Sequence, residues 1–450
     1  MTTREDLESR HLAELHELAS ANRIPRFRTL SRSQLVEEIL EASPDAGPAA
    51  GLAEADEPES ADVRDEPEPA DVRGEPEPTE VRSGVLDVVP DGYGFLRTEG
   101  LGRSDDDVYV SRSLVRSLGL RSGDQVAGAI RPPGRSSRFP SLVEASEING
   151  GPVADFRGSD RPSFEELTPI APGGRIGIGA LPDSLATRMI DLVAAIGKGQ
   201  RCLIASPAGA GATTLLQEIA RGLSAANGST PIVVLVDVRP EETTQWRRTL
   251  DTPVYGASSD SSPEAQVRLA ELALERCRRL TEQGEDVVLL LDSLTRLARA
   301  RSLVRGRSRR AARQDDDDAA AAENPAIRSA KRWFATARNT EEQGSLTIIA
   351  TARVESESEF EQLVYEVVAD SANMEVRLDR SLSQAGLFPP LDVNRSWSHF
   401  ENAVVGPDEA AWLAALRRSL MSLAPADAWH AVTERLLSTS SNTELISRPE

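Results

Sequence analysis

The segment SPAGAGATTLL, residues 206–216, has the composition of a loop that binds phosphate. It joins an apolar run that predicts a buried strand to a run with helical spacing. At such a turn, glycines let backbone N–H groups and the positive end of the helix approach an anion. A loop of this kind normally presents a lysine to the phosphates, and Ala212 stands at that position. The sequence therefore predicts a phosphate site without its usual cation.

A dinucleotide-binding loop is one interpretation of this segment. It would use Gly209 and Gly211 for the turn, and Asp237 at the end of the next strand for a ribose hydroxyl. It would also require a small third residue, usually glycine, at the position where Thr214 stands.

A mononucleotide-binding loop is the other interpretation. It aligns Gly211, Ala212 and Thr213 with the Gly-Lys-Thr end of the phosphate-loop motif. The later apolar strand VVLLLDS ends at Asp292, where ATPases with this loop carry the carboxylate that places magnesium. A dinucleotide-binding fold has no use for that carboxylate. The mononucleotide interpretation is therefore favoured, with Thr213 and Asp292 as the metal ligands.

The segment GYGFLRT, residues 92–98, has the pattern of a surface that binds single-stranded nucleic acid. On a strand, Tyr93, Phe95 and Arg97 alternate onto one face. Tyr109 and Phe139 are further aromatic residues that are expected to join them. Rings beside an arginine stack on bases, at roughly 1–3 kcal/mol per base. The alternative is that these rings fill the core of a barrel, but the whole set favours a binding surface.

Two types of domain would position these residues. Short alternating runs between glycine turns over 83–150 predict a small closed β-barrel, and the oligonucleotide-binding barrel fits best. Over 151–450, apolar strands alternate with helices, which predicts a parallel α/β sheet covered on both faces. The predicted elements are strands at 200–206, 231–238, 286–293, 345–352 and 373–379, a long helix at 262–283 and two helices in about the last forty residues.

The N-terminal part of the chain divides in two. Residues 1–43 predict a small helical unit, and residues 44–82 predict a disordered linker that repeats ADVRDEPEP as ADVRGEPEP. Thirteen acidic residues against three arginines prevent this linker from burying enough apolar surface to fold. About half of the formal net charge of −21 lies there, so the acidic composition does not exclude a nucleic-acid partner for the folded parts.

The remaining composition excludes several classes of protein. No run approaches the ~18 apolar residues of a membrane span. The N-terminus MTTREDLESRH lacks the apolar core of a secretion signal, so a cytoplasmic protein with no membrane partner is expected. The two cysteines make no disulfide framework, and the four dispersed histidines match no metal-ligand spacing.

Several long motifs resemble the Rho family of transcription termination factors, and they occur in the expected order. They are DGYGFLR, LTPIAPGGRI, DVRPEE, LLLDSLTRLARA, ARNTEEQGSLTIIATA, NMEVRLDR and LFPPLDVNRS. The resemblance extends from Ser83 nearly to the C-terminus, and the helical unit resembles the family's first subdomain. It implies a multidomain protein with an N-terminal helical unit, an oligonucleotide-binding (cold-shock-like) barrel, and a RecA-like α/β nucleotide domain with C-terminal helices.

The resemblance also implies a function. The family forms a homohexameric ring that captures single-stranded RNA on the barrel and pulls it through the pore by hydrolysing ATP, with Mg²⁺, at subunit interfaces. RNA polymerase is an expected partner. The RNA-binding residues that it implies are Tyr93, Phe95, Arg97, Tyr109 and Phe139. The nucleotide-binding residues that it implies are Gly197, Lys198, Gly199, Gln200, Gly209, Gly211, Thr213, Thr214, Arg239 and the adenine-stacking Phe388.

The residues that perform the chemistry in this family are replaced. Ala212 stands for the loop lysine, and Gly209 stands for a second loop lysine. Val238 stands for the catalytic glutamate and His399 for the arginine finger. Phosphoryl transfer depends on positive charge and a positioned water, and loss of an arginine finger alone costs roughly 10³–10⁵ in rate. Poor ATP hydrolysis is therefore expected.

The expected RNA path through the pore also departs from the family. Glu359 stands where the second RNA loop has a lysine, and residues 305–325 do not resemble the other loop. The sequence thus predicts a Rho-like RNA-binding protein with weak or no ATP hydrolysis, acting as a regulator or as a subunit of mixed hexamers with a complete Rho. The alternative is an active ATP-dependent RNA helicase that releases nascent RNA, with other residues in the lost roles. A third hypothesis, a nucleotide-gated module without an RNA role, conflicts with the aromatic set.

Overall fold

A computed structural model of the chain describes residues 80–134, 137–156, 161–179, 181, 184–312 and 324–447, with 307–312 described by their backbone alone. The predicted helical unit, 1–43, and the predicted linker up to residue 79 lie outside the described residues. Within the described part, no helix is long and apolar enough to cross a membrane.

The first described part of the chain is a closed β-barrel. Its elements are β1 (Glu80–Val88), β2 (Gly94–Arg97), β3 (Val108–Val110), α1 (Arg112–Ser117), β4 (Gln125–Arg131), β5 (Ser141–Ile148), β6 (Gly151–Pro152) and α2 (Val153–Phe156). The strands pair in the order β3-β2-β1-β4-β5-β6, and pairing of Tyr109 with Ser141 joins β3 to β5 and closes the sheet. Side chains such as Leu86 and Leu96 alternate inward and form an apolar core. The predicted oligonucleotide-binding type of barrel is confirmed.

The barrel begins earlier than the sequence predicts. Residues 80–82 fall in the predicted linker, whereas in the structure they pair with β4 as the start of β1. Their side chains are polar or largely exposed, and Arg82 Nε lies 3.2 Å from Glu80 Oε1. The apolar alternation that marks a half-buried strand is therefore absent from this end of β1.

The second part of the chain is a mostly parallel α/β sheet with helices on both faces. Its elements are β7 (Pro169–Ile170), β8 (Gly173–Arg175), α3 (Leu185–Val193), β9 (Gly197–Lys198), β10 (Arg201–Ser206), α4 (Ala212–Ala226), β11 (Thr230–Val238), α5 (Pro240–Thr249), β12 (Val254–Ser258), α6 (Pro263–Thr281), β13 (Asp286–Asp292), α7 (Leu294–Ala312), α8 (Pro325–Phe334), β14 (Arg338–Thr340), β15 (Ser345–Arg353), α9 (Glu359–Ala369), β16 (Met374–Arg377), α10 (Arg380–Gln384), β17 (Trp397–Ser398), α11 (Glu401–Val405), α12 (Pro407–Leu420), α13 (Pro425–Leu437) and α14 (Asn442–Ser447). The main sheet runs β12-β11-β13-β15-β10-β16-β17, with every pair parallel except β16–β17.

Apolar side chains cover both faces of this sheet, as its nearly continuous hydrophobic strands predict. One core joins Ile190 of α3, Ile219 of α4 and Val432 of α13. The core on the other face joins Leu269 of α6 and Leu297 of α7. The predicted RecA-like domain with C-terminal helices is thus confirmed.

The C-terminal segment contains three helices, α12 to α14, where the sequence predicts two. The third is only six residues long, which is too short to display a helical period. Its first residue, Asn442, donates from its side-chain amide to the carbonyl of Arg188 in α3 at 2.9 Å. This tertiary contact holds a helix that local pattern does not predict.

The barrel and α6 approach each other closely. Gly123, in the turn before β4, has a φ of +88°, and a Cβ there would lie 2.4 Å from the carbonyl carbon of Glu275. Only glycine fits at that distance, because no side-chain carbon approaches another carbon so closely. Beside this contact, Arg121 Nη2 lies 2.9 Å from Glu282 Oε2. The turn therefore fixes the barrel against the nucleotide domain.

Candidate nucleotide site and aromatic surface

The phosphate loop, residues 206–214, joins the end of β10 to the start of α4. Gly209 and Gly211 have φ values of +74° and +83°, in the left-handed region that favours glycine. Nothing lies within 4 Å of a Cβ built at either position, so the space there is open. The first N–H groups of a helix have no partners within the helix, and this end of α4 is therefore suited to an anion.

Thr213 and Asp292 bring two side-chain oxygens together beside the phosphate loop. Thr213 Oγ1 donates to Asp292 Oδ2 at 2.7 Å, and Thr351 Oγ1 donates to Asp292 Oδ1 at 2.9 Å. Asp292 is 3% exposed, and Arg296 Nη1 lies 3.7 Å from its Oδ1. Hydroxyl and carboxylate oxygens are the ligands that Mg²⁺ prefers. The residues present therefore fit a magnesium ion at this position.

The order of the strands excludes the dinucleotide interpretation. β11, which carries Asp237 near its end, is separated from β10 by β13 and β15. In dinucleotide folds, the ribose carboxylate follows the strand next to the one that carries the phosphate loop. The φ of +53° at Asp237 belongs instead to an irregularity in the pairing of β11 with β12.

Ala212 and Val238 stand in apolar surroundings. Ala212 is the first residue of α4 and packs against the core on that face of the sheet. Val238, at the end of β11, is 2% exposed and belongs to the same core. Residues 206–214 contain no lysine or arginine. Neither side chain carries a charge or a hydrogen-bonding group.

The segment Gly197–Gln200 (Gly197, Lys198, Gly199 and Gln200) lies at the opposite end of β10 from the phosphate loop. Lys198 Nζ lies 2.5 Å from Asp286 Oδ2 at the start of β13, whereas the loop faces the end of that strand. The six residues of β10 separate the two places by about 20 Å. Within one chain, this segment and the loop therefore do not share a site, and its role toward a nucleotide stays a prediction.

His399 lies at the same distant end of the sheet. Gln200 Nε2 donates to Ser398 Oγ at 2.9 Å, and His399 follows directly. The exposed His399 ring stands 4.4 Å, centroid to centroid, from Trp397. We call the segment Gly197–Gln200 together with His399 the distal edge. A side chain on the distal edge reaches a phosphate loop only if that loop belongs to another chain.

Phe388, Arg239 and Thr214 lie on the loop side. Phe388 is 41% exposed and follows α10, whose Ser383 donates to the Gly209 carbonyl at 3.3 Å. Arg239 is exposed and follows β11 at its carboxyl end. Thr214 is exposed in the first turn of α4. Their roles toward a nucleotide stay predictions.

Four aromatic rings form one surface on the outside of the barrel, which we call the aromatic surface. They belong to Tyr93, Phe95, Tyr109 and Phe139, and neighbouring ring centroids are 5.3–5.9 Å apart. Three of the rings are half-buried, and Tyr93 is 9% exposed. None of the four belongs to the apolar core inside the barrel. The alternation therefore predicted the grouping, and the alternative that these rings fill the core is wrong.

Arg97 lies behind the rings, where it is 5% exposed. Its guanidinium carbon is 5.6 Å from the centroid of Phe95, and it pairs with Asp107 and, at 2.5 Å, with Asp87. Burial raises the pKa of Asp107, although an N–H of Ser104 and the charge of Arg97 oppose that rise. Arg97 is therefore not an exposed cation, since two carboxylates match its charge and it supports the Phe95 ring; its role toward RNA stays a prediction.

The two segments of the expected RNA path are partly described. Glu359 is the exposed first residue of α9 and makes no ion pair among the described residues. The nearby Glu361 is buried, and Arg299 Nη2 lies 2.5 Å from it. Within 305–325, residues 313–323 lie outside the described part, which begins again just before α8.

Sequence reasoning missed Asp87 as a residue that supports the aromatic surface. It is buried and accepts hydrogen bonds from both Arg97 and Arg268 of α6. Asp87 is the register partner of Phe95 across β1 and β2. The aspartate in the apolar run GVLDVV could have indicated a buried ion pair, but its partner Arg97 became evident only from the strand pairing.

Two family models match the chain. The model described as "Rho termination factor, RNA-binding domain" matches residues 82–154, and "ATP synthase alpha/beta family, nucleotide-binding domain" matches residues 186–398. Transcription termination factor Rho of Thermotoga maritima is 36% identical over 446 residues, which cover 98% of this chain and 95% of the relative. The corresponding protein of Aquifex aeolicus is 34% identical, with coverages of 99% and 95%.

The chain belongs to the Rho family of transcription termination factors. Some Rho-family relatives are longer. Transcription termination factor Rho of Mycobacterium leprae is 42% identical over 371 residues, which are 81% of this chain but only 59% of that relative. This chain thus spans about three fifths of the length of such a relative. The Rho RNA-binding model covers the aromatic surface, and the ATP synthase alpha/beta nucleotide-binding model covers the phosphate loop.

Proposed function

We propose that this chain captures single-stranded RNA on the aromatic surface, binds ATP with Mg²⁺ at the phosphate loop, and hydrolyses that ATP poorly or not at all. Its role would be that of a regulatory Rho-family subunit, which binds RNA itself or joins the ring of a complete Rho. One observation supports this most: the intact Thr213–Asp292 pair stands beside a loop whose lysine position is Ala212.

Nucleotide binding in this proposal rests on the main chain and on oxygen ligands. The open loop at Gly209 and Gly211 and the N-terminus of α4 suit the phosphates. Thr213 and Asp292 would hold Mg²⁺, which when bound neutralises phosphate charge. Phe388, exposed on the loop side, is available to stack on the base. Without a loop cation, the affinity is expected to be lower than that of a complete site.

Poor hydrolysis follows from three separate positions. Ala212 leaves the transferring phosphate without its lysine, and Val238 cannot position a water. In a ring, the distal edge of one chain would face the phosphate loop of its neighbour, and there His399 stands in place of the arginine finger. Loss of the finger alone costs roughly 10³–10⁵ in rate.

RNA capture in this proposal rests on the four rings of the aromatic surface. Stacking on such rings tolerates any base and contributes roughly 1–3 kcal/mol per base. Arg97, Asp87 and Asp107 would act by holding the rings in position. The exposed Arg138, 5.5 Å from the Phe139 ring, is placed at the rim, where it pairs with the exposed Asp105.

The test is phosphate release by the full chain in Mg-ATP, with and without cytidine-rich RNA. We expect turnover at least ~10³-fold below that of a complete Rho-family motor, together with measurable binding of a fluorescent ATP analogue. Turnover within about tenfold of such a motor would instead favour the active helicase.

In a second arm, the chain is mixed with a complete Rho-family protein. A regulatory subunit lowers RNA-dependent turnover of that protein, whereas an unrelated RNA-binding chain only competes for RNA, an effect that excess RNA removes.

A further inference from the structure

A groove with a volume of about 500 Å³ lies between β1 of the barrel and helices α6, α7 and α8. The arginines that line it are Arg268 and Arg278 of α6, Arg301 of α7 and Arg332 of α8. The acidic residues that line it are Asp87, Glu271 and Glu275. We call it the arginine groove. Four cations in one groove are notable in a chain with a formal net charge of −21.

Two of these arginines have close carboxylate partners. Arg268 Nε donates to Asp87 Oδ2 at 3.1 Å. Arg278 Nη1 lies 2.8 Å from Glu275 Oε1 and 3.0 Å from Glu165 Oε1. The charges of these two side chains are therefore matched within the chain, and they flank the groove without offering a free cation.

The other two arginines are less well matched. Arg301 is 9% exposed, its Nη1 donates to the Ser329 hydroxyl, and its pair with Glu271 is 3.5 Å long. Its Nε, like that of Arg278, has no hydrogen-bond partner among the described residues. Burial lowers the pKa of Arg301, and the nearby Arg332 lowers it further while Glu271 opposes both. Arg332 is exposed and makes no ion pair in the described part of the chain. Buried polar nitrogens are normally paired, so an anion in this groove would complete the site.

The arginine groove adjoins the aromatic surface through Asp87. This residue pairs in register with Phe95, and opposed residues of antiparallel strands place their side chains on the same face about 5 Å apart. Asp87 thereby connects Arg97, behind the Phe95 ring, to Arg268 at the border of the groove. One cross-strand neighbour, Asp87, therefore lies between the Phe95 ring and the border of the groove.

We propose that the arginine groove binds backbone phosphates of RNA whose bases stack on the aromatic surface, with Arg301 and Arg332 as the phosphate ligands. This inference rests on the proposed RNA function and extends it to a second place on the chain.

Trp333 is the aromatic residue among the described residues that line the groove. It is 3% exposed, and its Nε1 donates to the Ala270 carbonyl at 3.1 Å. Since that ring is not free to stack on a base, the groove suits sequence-independent phosphate contacts.

The experiment compares Arg332→Gln with Arg328→Gln in the full chain. Arg328 is exposed on the same helix but does not line the groove, so it controls for the loss of one charge. Affinity is measured over a salt series for cytidine-rich RNAs of about four and about twelve nucleotides. For the long RNA, Arg332→Gln should lower affinity about fivefold at ~0.1 M salt and reduce the slope of log affinity against log salt by about 0.7. The short RNA should bind both variants like the unaltered chain, and Arg332→Lys should restore binding of the long one.

Several outcomes would overturn the assignment of the groove. An unchanged salt slope in Arg332→Gln, or an equal loss in Arg328→Gln, would remove its support. Weaker binding of the short RNA would mean that the substitution acts through the aromatic surface. If Arg332→Gln altered the affinity for inorganic phosphate alone, the groove would be a site for a small anion. Failure of the proposed function is separate, because Tyr93→Ala with Phe95→Ala would then leave both RNAs bound as before.

Discussion

The aromatic surface and the phosphate loop differ in which of their predicted functional groups are present. On the barrel, four rings contact one another, and two carboxylates hold the arginine behind them. At the phosphate loop, the backbone conformation and the Thr213–Asp292 pair are present, but Ala212 and Val238 occupy positions where charge is expected. The first region has all of its predicted aromatic side chains, whereas the second has the predicted backbone conformation and oxygen pair without the predicted lysine and glutamate.

Under the proposed function, binding and turnover would depend on separable parts of one fold. Main-chain amides and a helix terminus persist through any substitution that keeps the glycines of the loop. Stabilisation of a transition state requires side-chain charge at set positions. Neutral residues at those positions would therefore reduce the rate of hydrolysis without disturbing the fold, and Val238 adds to the apolar core.

The largest effect is expected from removing rings of the aromatic surface. Tyr93→Ala with Phe95→Ala should lower affinity for cytidine-rich RNA by about 30-fold to 10⁴-fold, since each stacked base contributes roughly 1–3 kcal/mol. Fluorescence anisotropy of labelled RNA measures this. Tyr93→Phe keeps the ring and should bind almost normally. Equal affinity in the double variant and the unaltered chain would mean that the two regions do not differ as described.

The Asp87 carboxylate behind the rings should also be essential for the stability of the barrel. Asp87→Ala removes the carboxylate shared by Arg97 and Arg268, and we expect a loss of about 3 kcal/mol in the stability of the barrel, because buried charges then lose a partner. Thermal unfolding measures the loss. Glu80→Ala, in the same strand, breaks an exposed pair and should change stability by less than ~0.5 kcal/mol. Similar melting temperatures for the two variants would argue against a supporting role of Asp87.

At the phosphate loop, removal of metal is expected to have a moderate effect. Chelation of Mg²⁺ should lower affinity for an ATP analogue about tenfold, equivalent to ~1.4 kcal/mol. Thr213→Val should lower affinity in Mg²⁺ by a similar factor and abolish the response to chelation. Thr214→Val, one residue further and exposed, is the matched control. A response to chelation that persists in Thr213→Val would remove Thr213 from the metal site.

The smallest effect is expected from returning a cation to the loop. Ala212→Lys should raise nucleotide affinity about threefold to tenfold, which corresponds to ~1 kcal/mol. It should leave turnover low, because Val238 and His399 are unchanged. Ala208→Lys adds the same charge at an exposed loop position and should have a smaller effect. Substantial ATP hydrolysis by Ala212→Lys alone would show that the lysine was the sole deficiency.

Much of the fold could be predicted from local pattern. Apolar runs such as PIVVLVDV predict buried parallel strands, and the alternation of Tyr93 and Phe95 predicts a shared face. The ends of elements were harder, because Glu80 and Arg82 lack an apolar period although they belong to β1. The short α14 likewise depends on a tertiary contact with Arg188.

The functional site could be predicted only where the residues of the recognised motifs lie together in the structure. Thr213 and Asp292 follow from motif position, and they lie in hydrogen-bond contact. The segment Gly197–Gln200 precedes the loop by few residues, yet the length of β10 puts it on the distal edge. For Arg97, the partner acids are Asp87 of β1 and Asp107, which directly precedes β3, so the burial of its charge became evident only with the pairing of β2 with β1 and β3.

The opposite placement of the phosphate loop and the distal edge on one sheet has a numerical consequence for a mixed ring. Each copy of this chain would give a defective loop to one junction and a histidine-bearing edge to the junction on its other side. A junction would then work only when both of its chains are complete. With random mixing, activity should fall as the square of the fraction of complete chains. A small fraction of this chain would therefore lower the activity of the ring by more than its own share of the subunits.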